Sequence, residues 1–174
     1  IKLIYGKEAK SILITGDSDK EAWKEHITDY HKEKLPSTVL SASHHGSRTF
    51  FKDSEEDNDV YEKHIEEIKP TYLVVSAPKR EDSPHGHPHD DAMKLYKKYV
   101  EEEGIFHLGS EPYSVIVDID EEGNISVETD TELIEEYGDD SGEDEDRKNN
   151  EDVNKSFYII PSTTRIDKKP MGAK

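Results

Sequence analysis

Cysteine is absent from the 174 residues, which removes disulfides, thiolate metal ligands and cysteine nucleophiles together. Any metal here has to be held by imidazole and carboxylate. The absence also allows a reducing compartment, and a cytoplasmic location is the expectation. Apolar residues are scarce, at 31%. No run approaches the roughly 18 to 20 apolar residues a bilayer span needs, and no signal peptide opens the chain, so a water-soluble polypeptide without a membrane segment is expected. Positive charge is in short supply too: 23 Lys and Arg face 41 Asp and Glu, for a formal net charge of -18. A balance of that sign disfavours long-range attraction to nucleic acid or an anionic membrane, although a local metal cluster could still recruit a phosphate. Residue 1 is Ile, so the chain is expected to have been processed or cut from a longer one.

What charge there is lies unevenly. Between Glu132 and Asp152 eleven acids meet two bases, which accounts for half of the net charge. The run Gly138-Asp-Asp-Ser-Gly-Glu-Asp-Glu-Asp146 repels itself and offers nothing to bury. Residues 131–155 are therefore expected to be a solvated acidic linker, with attraction to a basic partner as the other reading. Residues 156–174 form a tail of unknown role, in which Ser156-Phe-Tyr-Ile-Ile-Pro161 is β-like and Arg165 to Lys174 is basic.

Residues 1–130 read as alternating strands and helices. Ile1 to Tyr5 and Ser11 to Thr15 are apolar runs around Gly6-Lys7, the pattern of a hairpin. Asp19 can cap a helix to about Lys32, with Trp23, Ile27 and Tyr30 on one face. Thr38-Val-Leu-Ser41 is a short buried strand, and a second helix from Asp59 turns Tyr61, Ile65 and Ile68 inward. Tyr72-Leu-Val-Val-Ser76 is the clearest strand. A third helix from Asp90 carries Met93, Tyr96 and Val100 and stops at Gly104. Tyr113 to Ile119 and Ile125 to Val127 alternate around Glu121-Glu-Gly-Asn124 as a second hairpin. The order predicts an α/β layered domain, in which the loops at strand ends are the place for chemistry.

Three such loops carry reactive side chains. In Ile12-Leu-Ile-Thr-Gly-Asp17 a strand ends in Gly16, which permits a sharp exit, and then in a carboxylate, a hard oxygen ligand. By itself this is also a common turn or helix cap. In Ser43-His44-His45-Gly46-Ser47 two imidazoles follow the strand ending near Ala42 and can bind metal, move protons or hold a phosphate. In Pro84-His85-Gly86-His87-Pro88-His89 a Gly- and Pro-stiffened loop presents three more, and neutral imidazole is the commonest protein ligand for transition metals. Adventitious binding by a His-rich loop is the bland alternative. His26, His31, His64 and His107 read as surface or packing residues.

Taken in order, Ile12-Leu-Ile-Thr-Gly-Asp17, Val39-Leu-Ser-Ala-Ser-His-His-Gly-Ser47, Lys69-Pro-Thr-Tyr-Leu-Val-Val-Ser76 and Gly86-His87-Pro88-His89 resemble the second half of a metallo-β-lactamase-fold domain. The nearest branch is the one at the end of the competence protein ComEC and in its soluble relatives. The resemblance covers residues 1–129 and implies a four-layer αββα fold, of which residues 1–130 supply the carboxyl-terminal half. It implies Asp17 as the carboxylate bridging two metals and His87 as the late His ligand. His44 or His45 then steadies the phosphate or protonates the leaving group, with Ser47, His85 and His89 as secondary candidates. The implied cofactor is zinc, alternatively manganese, as two ions shared with ligands outside this chain. The motif His-X-His-X-Asp-His of the family's first half is not present. The expected partner is therefore an amino-terminal half, as a preceding segment or a separate chain, without which this chain would be inactive.

The activity implied is metal-dependent hydrolysis of a phosphodiester, as a phosphodiesterase or nuclease acting on DNA or a nucleotide. Hydrolysis of a thioester or lactone is a competing enzymatic reading. A non-catalytic scaffold that works through its acidic tail is a third.

Overall fold

The computed structural model describes residues 1–110 and 113–130. The acidic linker 131–155 and the tail 156–174 lie outside the described residues. The order along the chain is β1 (Lys2–Tyr5), β2 (Lys10–Leu13), α1 (Lys20–Ala22), α2 (Thr28–His31), β3 (Val39–Ser41), α3 (Lys63–Ile68), β4 (Tyr72–Pro78), α4 (Asp90–Tyr96), β5 (Ile105–Gly109), β6 (Ser114–Ile119) and β7 (Ile125–Asp130). Short 3₁₀ turns occupy Ser43–Gly46 and Arg48–Phe50.

The first five strands form one mixed sheet in the order β1-β2-β3-β4-β5. β1 returns antiparallel on β2, as the apolar runs around Gly6 predict, while β2, β3, β4 and β5 are mutually parallel. Each parallel step is bridged by helical chain, which is what a parallel pair requires. The carboxyl ends of these four strands therefore share one edge. β6 and β7 pair as a separate antiparallel ribbon with Ile119 opposite Ile125.

Register assigns the two faces. Leu13, Leu40, Leu73 and Ile105 form one cross-strand row. Leu40 and Leu73 are fully buried, with Phe50, Phe51, Ile65, Ile68 and Tyr96 packed in the same core. Burying one such side chain is worth about 1.5–3 kcal/mol, so this face supplies much of the folding free energy. The neighbouring row, Leu3, Ile12, Val39 and Tyr72, lies on the other face. There Leu3 is 54% exposed, and Tyr72 and Val74 are half-buried while Leu73 and Val75 on the same strand are sealed. The β6–β7 turn reaches the β1–β2 turn, where the Lys7 N–H donates to the Glu121 carbonyl at 3.0 Å. Gly6 has φ +77°, and a Cβ there would lie 2.7 Å from the Asp120 oxygen, so contact at this point requires glycine.

The helices follow the sequence with three adjustments, the first being that the second helix begins at Lys63 rather than Asp59, which leaves Tyr61 outside it. Asp19 does cap the first helix, its Oδ1 accepting the Ala22 N–H at 2.9 Å. One extra residue per turn follows, because Trp23–Ile27 is π-helical and the Thr28 N–H donates to the Trp23 carbonyl. That phase change buries Thr28 and turns Tyr30 outward to 77% exposure, against the expectation of an inward Tyr30. The third helix ends at Tyr96 rather than near Gly104, although turns beyond it still bury Val100. Among the described residues no helix is long and apolar enough to cross a membrane.

Candidate functional site

The three loops singled out by their side chains follow β2, β3 and β4, so the parallel sheet brings them to one edge. Loops carried at strand ends by a rigid sheet are where binding and catalytic side chains concentrate.

Direct bonds join them. The His44 N–H donates to the Gly16 carbonyl at 2.8 Å, tying the β3 loop to the turn that carries Asp17. Ser43 Oγ–H donates to the same carbonyl at 3.1 Å, and the Ser43 N–H donates to the Tyr96 hydroxyl at 3.2 Å. Thus a phenol buried in the core supports the loop from below. On the other side the His89 N–H donates to the Gly46 carbonyl at 3.0 Å, and the Arg48 N–H donates to His89 Nδ1 at 3.1 Å. Gly46 lies against Pro88; its φ is +79°, and a Cβ there would sit 2.7 Å from the proline Cβ. A larger residue would hold the two His loops apart.

His44 and His45 both adopt left-handed backbone, with φ of 47° and 59°. The region costs about 1–2 kcal/mol for an L-residue, and histidine is among the types that tolerate it best. Two in succession at a strand end are the kind of strain that points to a site.

The result is a group of imidazoles around His87. Its ring centroid lies 4.7 Å from His89, 5.3 Å from His44 and 5.9 Å from His85. His87 is buried, His44 and His89 are half-buried, and His45 and His85 are exposed. Burial pushes the His87 pKa down to about 4, and its histidine neighbours add to the effect. At neutral pH it is an uncharged imidazole with a lone pair to offer. His89 is lowered as well, by burial and then by the Arg48 charge.

Asp17 is exposed in the turn after β2. Ser47, by contrast, is buried, and its Oγ accepts the Thr49 N–H and hydroxyl at 3.3 and 3.0 Å as the cap of the Arg48–Phe50 turn. The donors are of the right type for zinc or manganese. Among the described residues, however, no group of three or more His, Asp or Glu converges as a metal site.

One support escaped the sequence reading. Arg48 Nε donates to Asp91 at 2.9 Å, and Lys52 Nζ lies 3.0 Å from the same carboxylate. Burial alone would raise Asp91, but the two cations hold it down at about 2. The pair clamps the β3 loop to the start of α4, with Arg48 directly following Ser47 as the one visible clue. His64, expected as a surface or packing residue, is a buried imidazole with aromatic surroundings.

No protein-family model matches the chain, and neither does any curated protein or solved structure. The functional reading therefore rests on the residues and their geometry.

Proposed function

We propose that this chain is the carboxyl-terminal half of a metal-dependent hydrolase of the metallo-β-lactamase superfamily, a four-layer αββα domain acting on a phosphodiester. The observation that carries the reading is the convergence of three loops at one sheet edge, where His44 lies 5.3 Å from a neutral His87 and is bonded to the turn of Asp17. On the face bearing Leu3, Ile12, Val39 and Tyr72, Val39 is buried but Leu3 is exposed and Ile12 and Tyr72 are half-buried, and this supports the fold, since a second sheet would cover such a surface. An amino-terminal half, as a preceding segment or a separate chain, would bring that sheet and the ligands this chain lacks.

Within this reading Asp17 and His87 are ligands, and either His44 or His45 acts at the phosphate. When bound, the metal, zinc or manganese, supplies a nucleophilic water near neutral pH and polarises the phosphoryl group. This chain's own part is to hold an uncharged imidazole at His87, to keep its loop against the β3 loop through Gly46 and His89, and to present a second imidazole that handles a proton. A DNA or nucleotide substrate and a cytoplasmic setting belong to the same proposal.

The test uses full-length protein purified without a His tag. We expect stoichiometric Zn or Mn and hydrolysis of bis-p-nitrophenyl phosphate and single-stranded DNA. Less than about a tenth of an equivalent of metal after dialysis against Zn and, separately, against excess Mn, with no hydrolysis in either, would overturn the reading. Turnover of a thioester in preference to both phosphodiesters would replace it with the acyl-hydrolase alternative.

A further inference from the structure

The amino ends of β2, β3 and β4 border a cavity of about 280 Å³, at the edge of the sheet opposite the histidine loops. Lys10 opens β2 there, Thr38 stands just before β3, and Lys69 and Thr71 lead into β4. Nothing in the hydrolase reading uses this end of the molecule. Its backbone is nevertheless strained. Among the described residues four that are not glycine have positive φ: His44 and His45 in the candidate site, and Ala9 and Lys69, at 52° and 51°, in the wall of this cavity. Lys69 caps the carboxyl end of α3, where glycine would take the left-handed conformation without a steric penalty. A lysine in that place strains the backbone and brings an ammonium group to the cavity.

The acceptors around the cavity are already engaged. Buried Ser37 donates its hydroxyl to the Leu35 carbonyl at 2.7 Å, and buried Ser11 donates to the Pro36 carbonyl at 3.3 Å. Lys2 Nζ donates to the Lys34 and Pro36 carbonyls at 2.8 and 2.5 Å, which adds a third cation beside the cavity. The Thr38 carbonyl takes the N–H groups of Thr71 and Tyr72 at 2.9 and 3.0 Å and fixes the spacing of the two strand entries. Carbonyl oxygens that would repel an anion are thus covered by donors. The donors, by contrast, are left over. The Lys69 ammonium and the Thr38 and Thr71 hydroxyls have no hydrogen-bond or ion-pair partner among the described residues. Lys10 pairs with Glu8 at 3.3 Å, and Glu8 is exposed.

We infer that this cavity is an anion site that takes a phosphate group, free or at the end of a larger molecule whose remainder lies in solvent. Two ammonium groups and two hydroxyl donors in one small wall suit a compact polyanion, since phosphate oxygens accept from all four and lysine serves phosphate as a point charge. The volume lies near the lower limit of small-molecule sites, which fits a tetrahedral oxyanion. Glu8 is a built-in competitor, because its carboxylate holds Lys10 until phosphate displaces it. The site shares no residue with the histidine loops and stands or falls apart from the hydrolase reading.

Amide ¹H–¹⁵N spectra of the whole chain test this, titrated at neutral pH with inorganic phosphate and, separately, with phenyl phosphate, ionic strength being held constant with chloride. We expect saturable shifts at Thr38, Lys69 and Thr71. Tighter binding of phenyl phosphate would assign the site to phosphate monoesters, and tighter binding of phosphate to the free ion; either supports the site. Asparagine tolerates left-handed backbone, so Lys69→Asn removes the ammonium without disturbing the helix end. It should weaken binding about 10-fold or more, the loss of one charge-assisted hydrogen bond. Lys10→Gln should weaken binding as well, whereas Glu8→Gln, a change at an exposed residue, should tighten it. Shifts confined to Gly46, His87 and His89 would put the phosphate at the histidine loops and overturn the proposal. So would shifts that never saturate, or affinity unchanged in both Lys69→Asn and Glu8→Gln. Should Lys69→Asn fail to fold, the sign of the Glu8→Gln effect decides: weaker or equal binding overturns the site.

Discussion

Two buried histidines, His64 and His87, titrate alike and differ in everything around them. Burial brings each down to about 4. His64 is fully buried in α3, with Phe50, Tyr61, Phe51 and Trp23 rings between 4.0 and 5.7 Å away. Its Nε2–H donates to the Phe50 carbonyl at 2.7 Å. His87 instead has other imidazoles for company, at a sheet edge where His45 and His85 reach solvent. A lowered pKa thus does not separate a packing residue from a site residue. The neighbours do, because groups that can exchange protons or share a ligand differ chemically from aromatic rings that only exclude water.

The strongest way to break this contrast is to open the aromatic pocket. Phe50 is fully buried against Trp23, Phe51, His64 and Tyr96. Phe50→Ala should cost about 3–5 kcal/mol in urea unfolding, the range for a large aromatic removed from a core. A loss below about 1 kcal/mol would mean that the pocket is not the packed centre described.

Acid should act next most strongly. A histidine whose folded pKa is lowered gains its proton in the unfolded chain first, near pH 6.5, and in the folded chain only near pH 4. Stability is therefore highest above pH 6.5 and falls as the pH drops through that window, by about 3 kcal/mol for His64 if its shift is fully expressed. His64→Leu, which keeps the pocket apolar, should flatten the decline measured by chemical denaturation between pH 7 and pH 4. An unchanged slope would transfer the acid sensitivity to the His87 cluster.

Gly46→Ala sharpens the comparison from the other side, with the smallest energetic effect. A β-carbon at positive φ, pressed against Pro88, should cost about 1–2 kcal/mol. Its signature is local: the ring resonances of His44, His87 and His89 should shift while that of His64 stays in place. Equal shifts at His64 would show that the two regions are one unit.

Much of the fold was legible because its signals are local. Alternation around Gly6 and around Glu121-Glu-Gly-Asn124 marked both hairpins, and Asp19 marked a helix start by supplying the missing acceptor. Tyr30 departs from its helical spacing because a π-helical turn shifts the phase of everything after it, and no residue in Trp23–Ile27 announces that by type. The candidate site was legible as three fragments. The Asp91 clamp on Arg48 and Lys52 was not, since it joins residues 43 and 39 positions apart through a helix start. His64 was legible as a surface or packing residue, but its cage is assembled from Trp23, the Phe50-Phe51 pair and Tyr61 only when α3 packs on the sheet.

By itself the sequence determined the chemical inventory: no thiol, five of the nine histidines in two short loops, a carboxylate after a strand, and apolar spacing that specifies strands and helices. Those properties belong to residue type and to neighbours along the chain. The tertiary structure alone decided that the loops meet, because parallel pairing of β2, β3 and β4 places their carboxyl ends side by side. It also decided which ring nitrogen carries a hydrogen in His45 and His89, because the Ser76 carbonyl and the Arg48 N–H that meet them come from distant segments and accept or donate without regard to sequence.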